Sequence, residues 1–116
     1  MKISINKTAK RELQKNCHDG TGEIFLREVF GEDVFESNLV HLHETIVQPH
    51  STIGYHLHEG NEEIYYIIEG EGIMTVDGEE KTVAPGDAII THSGSKHGLV
   101  NNTDKGLKIL VFECRY

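Results

Sequence analysis

A chain of 116 residues, 37% apolar in short runs, fills one core and so fits a single domain. Its formal net charge of −8 disfavours nucleic acid and anionic membrane surfaces as partners, because both need a basic face, while an anionic small substrate stays compatible if a metal supplies local positive charge. No stretch approaches the roughly 20 apolar residues that span a bilayer, and the polar, mixed-charge segment Met1–Lys10 has no apolar signal core, so a cytoplasmic chain is expected.

The first 22 residues read as an N-terminal segment that joins the barrel edge or a dimer interface. A short exposed helix is expected around Ala9–Lys15, weak because only Leu13 can be buried. Cys17 stands alone here, as Cys114 does near the other end; without a secretion signal both are expected as free thiols. His18-Asp19-Gly20-Thr21-Gly22 reads as a flexible loop.

From residue 23 to 116 the pattern is β. Ile24–Leu26 and Val29-Phe30 are strand-like; Leu39–His43 and Thr45–Val47 follow, closed by Pro49. Thr52–His58 is the next strand, with Gly60-Asn61 as its turn, and then comes Ile64–Ile68. Gly70-Glu71-Gly72 breaks the chain. Ile73–Val76 and Lys81–Val83 flank Asp77-Gly78, a hairpin signal because both turn positions need φ > 0. Pro85-Gly86-Asp87 is another turn; Ala88–Thr91 and Gly98–Val100 are separated by Ser93-Gly94-Ser95; Asn101–Gly106 leads into Leu107–Phe112. Short strands at close turn spacing, with no long helix, predict an all-β sandwich or barrel in one domain. Ile64–Ile68 is apolar on both faces, so its outer face is expected under a second sheet, as a central strand of a sandwich, or under a second subunit.

His56 and His58, two residues apart on a strand, share a face and lie roughly 6.5–7 Å apart along the backbone. Glu63 opens the next strand within reach of the space between them, and His97 from a distant strand completes four ligands. If Glu63 points inward, Tyr65 and Ile67 line the interior with it. Three neutral imidazoles and a carboxylate suit one divalent transition metal (Mn, Fe, Co, Ni, Cu or Zn) and leave adjacent positions for a substrate.

The segment Pro49–Gly70, PHSTIGYHLHEGNEEIYYIIEG, resembles the first cupin motif: His56, His58, Glu63 and Gly70 fall on its histidine, histidine, glutamate and final glycine. Gly86–Asn101, GDAIITHSGSKHGLVN, resembles the second motif at Gly86, Gly94, His97 and Asn101. His50 stands where the first motif has Gly, and His92 where the second has Pro; both are expected as exposed turn residues. The resemblance implies a double-stranded β-helix, the cupin jelly-roll barrel, with His56, His58, Glu63 and His97 as metal ligands inside it and a homodimer as the assembly. Among single-domain members the chain is most similar to those called oxalate-decarboxylase-like.

The function expected from these readings is a metal-dependent enzyme, of decarboxylase or dioxygenase type, acting on a small oxygenated or carboxylate substrate. A small-ligand binding or sensor module, or a sugar isomerase or epimerase, is the alternative on the same barrel. Candidate pocket residues are Tyr65, Met74, His43 and Arg27. His41 and His43 share a strand face and could move a proton near neutral pH if that face is inward, and Arg27 could pair with a substrate carboxylate. Glu59 falls in a turn, and Glu62 alternates with Glu63 and is expected to point away.

Overall fold

Alternation dictates the architecture. The computed structural model describes Ile5, Asn6 and residues 10–116. Among these described residues ten strands follow in order: β1 (Glu12–Lys15), β2 (Glu23–Phe30), β3 (Leu39–Val47), β4 (Ser51–Leu57), β5 (Asn61–Glu69), β6 (Gly72–Val76), β7 (Glu79–Val83), β8 (Ala88–Thr91), β9 (Lys96–Asn101) and β10 (Leu107–Arg115). They form two antiparallel sheets, one of six strands in the order β1-β2-β3-β10-β5-β8 and one of four in the order β4-β9-β6-β7. This is the all-β architecture expected from the strand pattern and the jelly roll implied by the motif resemblance.

Inner faces supply the core. Ile24, Val47, Ile53, Tyr65, Ile67, Met74, Val83, Leu99, Leu107, Ile109 and Val111 pack into one buried cluster between the sheets. Asp77 and Gly78 both adopt positive φ, 47° and 80°, as the β6–β7 hairpin requires. Asn101 closes the far end: its buried amide donates to Val47 O and Lys105 O, and its Oδ1 accepts from Thr103 N–H. His50 and His92 are exposed turn residues, paired with Asp104 and Glu62.

Three expectations are corrected. Glu12–Lys15 is a strand, with Leu13 opposite Phe25, where a helix was expected; Ala9 lies outside the described residues. One apolar residue cannot nucleate a helix, whereas β2 offers an open edge of unpaired backbone groups. The segment expected as a flexible loop is clasped to the barrel. Cys17–Asp19 forms a 3-10 turn, Asn16 N–H donates to Gly22 O, and Thr52 N–H donates to Thr21 O. Gly54 permits this fit, since a Cβ there would sit 2.0 Å from His18 O. Finally, the outer face of β5 is not covered by a sheet. Along β5 residues 63, 65 and 67 are buried, while Ile64, Tyr66 and Ile68 are 36%, 42% and 38% exposed.

Candidate metal centre

Sheet pairing brings the distant histidines together. His56 on β4 faces its register partner His97 on β9; His58 is the residue immediately after β4, and Glu63 enters from β5 in the opposing sheet. Donor atoms of His56, His58, Glu63 and His97 all lie within 4.8 Å of one another, and only His56 is partly exposed. His58 Nε2 and His97 Nε2 are 2.9 Å apart, and Glu63 Oε1 lies 3.3 Å and 3.2 Å from them.

The opposite ring nitrogens explain the arrangement. His56 Nδ1 donates to Gly54 O at 2.6 Å, and His58 Nδ1 donates to Asn61 Oδ1 at 2.7 Å. His97 Nδ1 pairs with Thr91 Oγ1 at 2.8 Å. With each Nδ1 engaged, the three Nε2 lone pairs are left for a common point, the outer support that metal-ligating histidines use. The donor set fits a divalent transition ion: three imidazoles and one carboxylate within reach of one another. These four residues are able to hold a metal ion.

Charge in the cluster is uneven. Burial lowers the His56 imidazole to about 4, so it stays neutral and ready to ligate. The Glu63 carboxylate raises His58. Burial opposes ionisation of Glu63, but the His41, His58 and His97 imidazoles outweigh it and hold the carboxyl far below the usual range. Burial, and then the Glu63 charge, push the Tyr65 phenol well above its ordinary value, so it remains a donor.

The remaining candidates separate by face. Tyr65 is buried with its hydroxyl 3.4 Å from His97 Nε2, beside the four-residue cluster. His43 points into the barrel one row away; its ring stacks on His41 at 3.8 Å, and its Nε2 lies 3.3 Å from Glu28 Oε1. Met74 is buried in the apolar core opposite Leu99. Arg27 pairs with Glu44 on the outer face of β2 and β3, alongside Arg11 and Lys108, and so does not face the cluster.

Sequence reasoning missed the supporting residues. Asn61 and Thr91 sit at strand ends, and only their three-dimensional neighbours mark them. His18, read as loop, lays its ring flat on His56, with centroids 3.7 Å apart and planes 10° apart. Cys17 packs against the core nearby, its thiol raised by burial and by the Glu63 charge.

A family model described as a cupin domain matches residues 36–113. The chain is 30% identical over 100 residues to a protein of Thermotoga maritima named oxalate-binding protein, covering 86% of this chain and 83% of that one. It is 37% identical over 91 residues to an uncharacterized protein of Methanocaldococcus jannaschii, covering 78% of this chain and 71% of the other. Among solved structures, that of a predicted oxalate decarboxylase from Thermotoga maritima superposes with a TM-score of 0.93 at 26% identity, covering 98% of this chain and 100% of that chain.

Proposed function

The chain belongs to the cupin family, and from that premise we propose that it binds one divalent transition metal at His56, His58, Glu63 and His97 and uses it on a small carboxylate of the oxalate class. The carrying observation is the set of three histidines whose Nδ1 atoms are engaged, with His58 and His97 Nε2 against Glu63 Oε1 and His56 within 4.8 Å of the same group. The bound metal supplies a Lewis acid that binds and polarises the substrate's oxygens. The chain's own residues orient and enclose: His18 covers His56, Asn61 and Thr91 fix the two other rings, and Tyr65 offers a hydroxyl donor beside His97. Decarboxylase-type turnover is the favoured reading, with dioxygenase chemistry as its close variant.

A binding module without turnover is the second reading, and the name of the Thermotoga maritima relative favours it. Elemental analysis of protein purified without chelator or nickel resin tests the metal. Incubation of the loaded protein with oxalate, following carbon dioxide and formate, separates the readings. Product release supports the enzyme; saturable oxalate binding by calorimetry with no product supports the module. Oxalate binding unchanged in metal-free protein refutes the metal-centred reading altogether.

The outer sheet face supports a homodimer. Phe30, Leu42, Phe112, Ile64 and Ile90 are successive register partners and make one apolar row across five strands. A contiguous apolar face of this kind marks an interaction surface, and a self-complementary sheet face suits a two-fold pair.

A further inference from the structure

We propose a second divalent-cation site beside the first, formed by His41, Glu113 and the outer oxygen of Glu63, with the Glu63 carboxylate bridging the two ions. It goes beyond the single-metal reading above and rests on it for the first ion.

Register builds the site. His41 on β3 is the direct partner of Glu113 on β10, and Glu113 is the direct partner of Glu63 on β5. Three ligand-type side chains thus occupy one row on three adjacent strands, facing the barrel interior, and their donor atoms lie within 4.8 Å of one another. Glu63 divides its oxygens between the two clusters. Oε1 serves His58 and His97 at 3.3 Å and 3.2 Å, while Oε2 turns to His41 Nε2 at 3.7 Å. Glu113 Oε2 lies 3.9 Å from the same imidazole, at Nδ1.

Those distances are too long for hydrogen bonds, which run about 2.7–3.2 Å. The 3.7 Å between Glu63 Oε2 and His41 Nε2 approaches the separation of two donors that share one ion, about 3–3.5 Å for bonds of 2.0–2.2 Å, while the Glu113 contact at the opposite ring nitrogen sets that carboxylate beside the same ring. His41 Nε2 is itself inaccessible to solvent and has no hydrogen-bond partner. It is an orphaned ligand atom aimed at a carboxylate.

Charge points the same way. Glu28, Glu63 and Glu113 gather at this end of the barrel, and their only ion-pair partners among the described residues are imidazoles. Carboxylates directly opposite on neighbouring strands repel. One cation at the first site consumes the Nε2 lone pairs of His58 and His97 and neutralises Glu63, but leaves Glu113, opposite Glu63, with imidazole partners alone. A second cation on Glu113 and His41 removes that repulsion. Nitrogen and oxygen donors together suit Mn, Fe, Co or Zn in the +2 state.

Manganese stoichiometry tests the site in the full chain. Protein stripped with chelator is titrated with Mn²⁺ by calorimetry, and retained metal is counted after gel filtration. The wild type is expected to bind two equivalents and to show an exchange-coupled manganese signal in electron paramagnetic resonance. Glu113→Gln and His41→Gln, each checked by circular dichroism, are expected to bind one equivalent and show an isolated-ion signal. One equivalent in saturated wild-type protein overturns the second site and leaves the first intact. Two equivalents in both variants also overturn it, since the second ion then lies elsewhere. No binding by the wild type would refute both sites together.

Discussion

His56 and His97 face each other across β4 and β9, followed in register by Leu57 and Lys96. Sheet pairing, and not a local loop, therefore sets the spacing of two of the four candidate ligands. A one-residue slip would turn the side chains of β4 to the opposite face. The apolar core that holds this register is made of Ile, Val, Leu, Met and Tyr side chains and does not include the histidines.

Replacement of His58 by Ala should accordingly remove metal without unfolding the barrel. The loss in affinity should exceed the roughly 10–100-fold that removal of an outer partner costs. Elemental analysis and circular dichroism of the purified variant check it. Full metal occupancy in a folded His58→Ala protein would refute the ligand assignment.

Thr91→Val isolates the outer support. The two side chains have nearly the same shape, and Thr91 is 1% exposed, so the change removes mainly the hydroxyl that engages His97 Nδ1. Metal affinity should fall about 10–100-fold. The buried Nδ1 left without a partner should cost about 1–3 kcal/mol in urea unfolding of the metal-free protein. Unchanged affinity in calorimetry would mean that Thr91 does not orient the ring.

These two substitutions also mark what was legible in the sequence. His56, His58 and Glu63 were readable because a strand repeats every two residues, and the glycines around His97 located the second half. Strand segments and the Asp77-Gly78 hairpin were readable for the same local reason. Thr91 and Glu113 were not, and His41 was readable only as a residue whose role depended on its strand face, because their meaning lies in the register of β3, β10, β5 and β8, which only long-range pairing fixes. The N-terminal clasp was hidden differently: Asn16, His18 and Asp19 adopt positive φ, which these residue types favour more than most, but no periodic pattern ties them to the barrel.

Gly54→Ala tests that clasp. Its new Cβ would meet His18 O at 2.0 Å and Gly20 N at 2.6 Å, both backbone atoms, so the strap must move. The expected cost is about 1–3 kcal/mol, as for other overpacked sites. Lifting His18 from His56 should also speed metal release, read by transfer of the ion to a chromogenic chelator. Wild-type stability together with wild-type release would show that the strap is not anchored there.

Acid should destabilise the metal-free protein before any carboxylate titrates. Burial lowers His56 to about 4 and also lowers His18 and His43, so all three take up protons less readily than unfolded histidines, near 6.5. The unfolded state then binds more protons, and stability falls as pH drops through that window. His58 has the opposite sign: raised by Glu63, it stabilises below the unfolded value, and that contribution fades as pH rises through its folded one. Glu63, held low, keeps its contribution until pH falls into the unfolded carboxylate range and loses it progressively below. Three groups against one give a urea midpoint that falls from about pH 7 to about pH 5. His56→Gln should flatten the slope. A wild-type midpoint that does not fall over this range would show that the histidines are not held neutral by burial.

The exposed row on the six-stranded sheet makes the last prediction. Ile64 and Ile90 are register partners on β5 and β8, 36% and 45% exposed, and Tyr66 beside them is 42% exposed. Water against such a face is costly, at roughly 25 cal/mol per Å² of apolar area, and a second copy placed by a two-fold axis would bury the same residues on both chains. Sedimentation velocity should therefore show a dimer. Ile64→Lys combined with Ile90→Lys should give a monomer with an unchanged circular dichroism spectrum, because both side chains lie outside the core. A wild type that sediments as a monomer at every concentration, or a double variant that remains dimeric, would remove this face from the assembly.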